Sequence, residues 1–179
     1  MVKDLSIFKD YDVRGICPDQ LNPSIVKEIA HAIVRKFQPK SIAMCRDMRL
    51  YGKELRDAFV EVFLSLGIDV YDAGIVGTEI QYYIAGTRGY DLVIMISASH
   101  NPKEYNGFKM VKKGPIAVTS ESGMYEVRDL IKEGPLPKAS KPGNLSMIDV
   151  WKEWKDKILS LVDISSLKSM KVVVDGGNG

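Results

Sequence analysis

The 179 residues carry 25 Lys and Arg against 23 Asp and Glu, a formal charge of +2, with 45% apolar and 27% charged side chains. This is the balance of an ordinary globular chain and excludes a disordered chain, a collagen and a highly charged tail; a pI of 8.4 argues against a dedicated nucleic-acid binder. No apolar run approaches the roughly 18 residues that cross a membrane, and the start MVKDLSIFKD lacks the apolar centre of a secretory signal. Cys17 and Cys45 have no CxxC spacing and are too few for a disulfide scaffold, so a cytoplasmic setting is expected.

In chain order, Asn22 caps a helix that has Pro23 at its first position. Val26, Ile29, Ala30, Ile33, Val34 and Phe37 form its apolar face, and Pro39 stops it. Residues 41–45 read as a buried strand. Leu55, Ala58, Phe59, Val62, Phe63 and Leu66 repeat the helical spacing, closed by Gly67. Residues 68–76 read as strand. Thr78 caps a third helix that runs to Gly89, and 91–96 is the most apolar strand. A polar loop covers 97–106, strand returns at 107–111, and a fourth helix is expected over 120–132. The tyrosines at 82 and 83 read as packing residues and His31 as solvated.

Such alternation predicts an α/β fold, a mixed and mostly parallel sheet with helices on both faces. The return strand follows too soon for a helical crossover, so it is expected to run antiparallel to a neighbour. Residues 133–145 hold three prolines and two glycines and read as a linker. Beyond it Trp151, Trp154, Ile158 and Leu161 share a helix face, residues 170–175 read as strand, and the sequence closes on Gly176-Gly-Asn-Gly179. One helix and one strand cannot make a core. The division expected is a domain over 1–145 and the opening of a second over 146–179, as in a fragment of a longer protein. The exposed apolar segment 146–179 is then a possible route to self-association.

The segment Ser97-Ala-Ser-His-Asn-Pro-Lys-Glu-Tyr-Asn-Gly-Phe-Lys109 follows the most apolar strand. In open α/β sheets, ligands bind at that carboxyl edge. Ser99 is the candidate nucleophile, but a serine hydroxyl needs a base, a metal or an installed group. His100 is adjacent in sequence, so its side chain is expected to diverge from that of Ser99. No GxSxG elbow surrounds the serine. Lys109 could neutralise phosphate or move a proton. Chemistry alone leaves two readings, a phosphate-handling serine loop and a polar surface turn.

The run Ser97-Ala-Ser-His-Asn-Pro with Asn106-Gly-Phe-Lys109 closely resembles the phosphoserine loop of the α-D-phosphohexomutases. Tyr11-Asp-Val-Arg-Gly15, Arg46-Asp-Met-Arg49 and Val174-Asp-Gly-Gly-Asn-Gly179 resemble three further family segments. The resemblance implies interconversion of hexose 6-phosphate and hexose 1-phosphate through a hexose 1,6-bisphosphate. Ser99 would carry the phosphoryl group, and that group would bind Mg²⁺, whose other ligands belong to a D-G-D-x-D-R loop absent from this sequence. Lys109 would transfer a proton, Arg14 and His100 would hold ligand and transition state, Tyr11 would line the cleft, and Asn101 would support the loop. Arg46 and Arg49 read as structural ion-pair residues.

Gly77-Thr-Glu79 stands where many relatives have P-T-P and resembles the phosphomannomutase branch; Tyr51 and Ser97 replace commoner residues, with packing alone expected to change at Tyr51. Phosphoglucomutase and phosphoglucosamine mutase are the close alternatives, and a non-catalytic module binding sugar phosphate or protein is the alternative of another class. The 179 residues alone are expected to be inactive, with no nucleic-acid or membrane partner.

Overall fold

The computed structural model describes residues 5–176. They divide into a unit ending at Ile148 and a second beginning at Asp149. In the first unit, chain order is β1 (Val13–Ile16), α1 (Pro23–Phe37), β2 (Ser41–Arg46), α2 (Gly52–Ser65), β3 (Asp69–Ile75), α3 (Thr78–Thr87) and β4 (Leu92–Ile96). Then come β5 (Tyr105–Lys112), β6 (Ile116–Ala117), α4 (Tyr125–Leu130) and β7 (Leu145–Met147).

The sheet runs β1-β5-β4-β2-β3-β7, with β6 beside β5. β4, β2, β3 and β7 are parallel, and β5 is antiparallel to both β4 and β1. The return strand thus has the expected sense, but it begins at Tyr105, within the expected loop. β1 is a strand that the sequence reading did not single out; four residues with an arginine and a glycine carry no periodic signal.

Side chains alternate across the sheet. Ile42, Met44, Ile94, Ile96, Phe108 and Met110 join one core with α1, α2 and α4. Phe108 meets Phe59 of α2 edge-on, with ring centroids 5.0 Å apart. The other face, with Ala43, Val93 and Met95, lies against α3. Asn22 caps α1 as the sequence predicts, its Oδ1 accepting the N–H groups of Ser24 and Ile25 at 3.0 and 3.2 Å. Arg56 of α2, itself partly exposed, pairs with the buried Asp72 of β3.

Several expected elements differ. α3 is capped by the backbone of Gly77, and Thr78 is its first residue. The helix expected over 120–132 is broken: a π-type turn over Ser120–Met124, then α4, then a 3₁₀ turn over Ile131–Glu133. Gly123 sits at φ 135° beneath Phe37, whose ring a Cβ would meet at 2.7 Å, so close packing there takes the chain out of helix. The proline-rich segment 133–145 ends in β7, which extends the sheet beside β3. Residues 146–148, grouped by composition with the following segment, lie in the first unit. His31 is half-buried: its Nδ1 accepts the N–H of Leu136 at 3.1 Å. Tyr82 is exposed on α3, contrary to a packing role.

The second unit contains α5 (Trp151–Leu159) and a 3₁₀ turn over Ile164–Ser166. The strand expected at 170–175 is without regular structure, and these residues are exposed. β-branched residues form strand only where a neighbour takes up their backbone N–H and C=O groups. The expected motif Val174–Gly179 extends past the described residues.

Candidate functional site

The candidate site lies at the carboxyl edge of β4, where the loop from Ser97 to Glu104 joins the ends of β1 and β2 and the start of β5. Ser97 N–H donates to the Gly107 carbonyl at 2.9 Å, extending the β4–β5 pairing. The buried Ser97 hydroxyl accepts the Ser99 N–H at 2.9 Å. The hydroxyl at this position is therefore a turn-forming group. Ser99 itself takes φ 55°, the left-handed region that costs an L-residue about 1 kcal/mol. Its side chain is exposed.

The sequence expectation that His100 would diverge is corrected. Its Nδ1 lies 3.3 Å from Ser99 Oγ, with the left-handed backbone between them. That separation is at the long limit for a hydrogen bond. Asn101 closes the turn, its N–H donating to Ala98 O at 3.1 Å. Its side-chain oxygen accepts from Arg14 Nη1. Arg14 also pairs through Nε with the buried carboxylate of Asp12 at 2.8 Å. Arg14 thus bridges β1 to the loop and keeps one side partly exposed.

Arg14 stands directly across from Gly107 in the β1–β5 register, and Lys109 lies two residues further along β5 on the same face. A Cβ on Gly107 would meet Val13 O at 2.1 Å and Arg14 Cγ at 3.2 Å, so glycine is what lets β1 and the Arg14 stem close on β5. Lys109 is half-buried across from Met95. Its carbonyl accepts from Gln81 Nε2 at 3.0 Å, and the same amide donates to Val93 O at 2.9 Å. Gln81 is fully buried and locks α3 onto β4 and β5, a contact with no sequence signal beyond a polar residue on an apolar helix face. Tyr11 is 67% exposed just ahead of β1.

Arg49 carries more than an ion pair. Its Nε is 3.5 Å from Asp47, and its two terminal nitrogens reach three loop carbonyls, Pro102 at 2.8 Å, Ser99 at 2.7 Å and Asn101 at 2.6 Å, and that of Tyr105 at the start of β5 at 2.9 Å. Arg46 donates to the Asp47 carbonyl at 3.2 Å. The R-D-x-R spacing gave the signal; the carbonyls it gathers come from another part of the chain.

The cysteines belong to the core. Burial pushes the Cys17 thiol up to about 11 and Cys45 up to about 12, so neither is a nucleophile near neutral pH. Among the described residues no three His, Cys, Asp or Glu side chains gather as a metal site, and no helix is long and apolar enough to cross a membrane.

The profile of the phosphoglucomutase/phosphomannomutase α/β/α domain I matches residues 5–136. The chain belongs to the phosphoglucomutase/phosphomannomutase family. It is 32% identical to a phosphomannomutase of Vibrio cholerae over 99% of its own length, and 33% identical to one of Salmonella montevideo over the same share. In both cases it spans 40% of the relative. A crystal structure of a phosphoglucomutase/phosphomannomutase family protein from Burkholderia thailandensis superposes with a TM-score of 0.77 at 29% identity, covering 89% of this chain and 36% of that one. The mixed sheet with flanking helices is the family's domain I fold.

Proposed function

We propose that this domain carries the phosphoryl-bearing serine of a phosphohexomutase that interconverts hexose 6-phosphate and hexose 1-phosphate. The observation that carries the reading is the Ser99 hydroxyl: exposed, at the tip of a left-handed turn, on a loop held at the carboxyl edge of the sheet. Phosphoryl transfer asks chiefly for placement and positive charge. The loop supplies placement, and Arg14 and Lys109 lie on one sheet face beside it.

In the transfer from enzyme to sugar, the bond between phosphorus and Ser99 Oγ breaks and a bond to the sugar hydroxyl oxygen forms. Lys109 is the candidate for moving the proton of that hydroxyl. The Ser99 oxygen leaves as the hydroxyl, taking its proton from the solvent that its exposed side chain meets. In the return transfer the other phosphate of the bisphosphate goes back to Ser99. Arg14 and His100 hold ligand oxygens, Asn101 keeps the turn closed, and Tyr11 lines the cleft. Magnesium bound to the Ser99 phosphoryl group would add charge stabilisation. The described side chains do not by themselves gather into a site for it.

The names of the curated relatives favour mannose over glucose or glucosamine phosphates. Because the chain covers 40% of those relatives, the 179 residues alone are expected to give no net turnover. The cytoplasm is the setting proposed.

The test is intact mass. Incubated with hexose 1,6-bisphosphate, the chain is expected to gain one phosphate, absent in Ser99→Ala. A chain that gains none, or a Ser99→Ala chain that gains it equally, overturns the reading. Formation of mannose 6-phosphate from mannose 1-phosphate by the isolated chain would refute its inactivity.

A further inference from the structure

We infer that Arg49 is the positioning residue of the Ser99 loop: a single guanidinium organises the loop backbone so that its donors face outward, toward the group on Ser99. This deepens the reading of Ser99 as phosphoryl carrier and rests on it. A guanidinium offers five N–H donors in a fixed plane. Here Nη2 takes the carbonyls of Ser99 and Asn101, Nη1 takes those of Pro102 and Tyr105, and Nε faces Asp47. Asp47 also seats the arginine backbone, its Oδ1 accepting the Arg49 N–H at 3.0 Å.

In a trans peptide the C=O and the following N–H point in opposite directions. With the carbonyls of Ser99 and Pro102 turned in upon Arg49, the N–H groups of His100 and Lys103 point away from it. Among the described residues the His100 N–H makes no hydrogen bond, which leaves a donor beside Ser99 Oγ for an anionic oxygen. The same cation opposes the conformational cost of the left-handed Ser99, because it binds the carbonyl on the far side of that residue. Lysine cannot substitute: one ammonium has three donors and no plane with which to span carbonyls from residue 99 to residue 105.

The test is nuclear magnetic resonance on the full 179-residue chain, comparing wild type, Arg49→Lys and Arg49→Ala. In wild type Ser99 is expected to show left-handed chemical shifts, with protected amides at Ser99, Asn101 and Tyr105. In Arg49→Lys those amides should exchange at least about tenfold faster and the Ser99 shifts should move to the extended range, while amides of β2 and β4 keep their protection. Methylguanidinium added to Arg49→Ala should restore the wild-type Ser99 shifts, a rescue that a general loss of fold would not allow. Wild-type shifts and protection in Arg49→Lys overturn the inference. So does failure of methylguanidinium to restore them, or a loss of protection spread equally through β2 and β4. The phosphate gain of the wild-type chain is read separately, so a serine that takes no phosphate sinks the functional reading without touching the loop measurement.

Discussion

At the scale of single residues, the site depends on groups that do no chemistry. Ser97 gives its hydroxyl to the turn, Asn101 gives its side chain to Arg14, and Gly107 gives up a side chain altogether. Gly107→Ala is the sharpest case. The added methyl would lie 2.1 Å from a backbone oxygen of β1, which cannot swing away as a side-chain end can. Such overpacking costs about 3 kcal/mol. A lowered urea midpoint with an unchanged slope is expected, together with displaced Arg14 resonances; a midpoint equal to wild type would show that β1 can move aside. The motif containing Gly107 was plain in the sequence, but its reason was not: the oxygen that forbids the methyl belongs to Val13, far away in sequence.

At the scale of elements, the helices follow their capping and periodicity wherever their faces pack on the sheet. α1 starts at its asparagine cap and buries the apolar face the spacing predicts. The helix expected over 120–132 fails at Gly123 because Phe37 lies against it. The segment after it is tied back to α1 by His31 and by Arg35, whose guanidinium donates to Glu133 O and Gly134 O at 3.2 Å each. His31 must be neutral to accept the Leu136 N–H. Burial, and then the neighbouring Arg35 charge, hold its imidazole below the ordinary value of 6.5. The unfolded chain therefore binds the proton first as pH falls. The stability His31 contributes is complete above 6.5 and is lost below it, through the folded value. Urea midpoints from about pH 7.5 to about pH 5 should fall more steeply for wild type than for His31→Gln. Parallel profiles would remove His31 from the account.

At the scale of the whole molecule, the two units differ in how much they bury. The first has an apolar core shared by α1, α2, α4 and one sheet face. In the second, α5 has no buried residue, and every residue from Lys155 to Gly176 is exposed. A nine-residue helix without a packed face is marginal in water. Hydrogen exchange should therefore show amides of β2 and β4 protected to the level of global unfolding, and those of α5 exchanging orders of magnitude faster. Protection of α5 comparable with β4 would contradict this division of stability.

The sequence by itself determined the alternation of helices and strands, the sense of β5, the family loop at 97–109 and the candidate side chains on it. Those features are written in local periodicity, capping residues and motif spacing, all of which act over a few positions. Tertiary structure alone decided that Arg49 gathers carbonyls from 99 to 105, that Gly123 keeps the stretch before α4 out of regular helix, that His31 holds Leu136, and that residues 145–147 pair with β3 while 170–175 form no strand. Each of these is a contact between distant segments, and a strand or a clamp exists only once folding brings its second partner alongside.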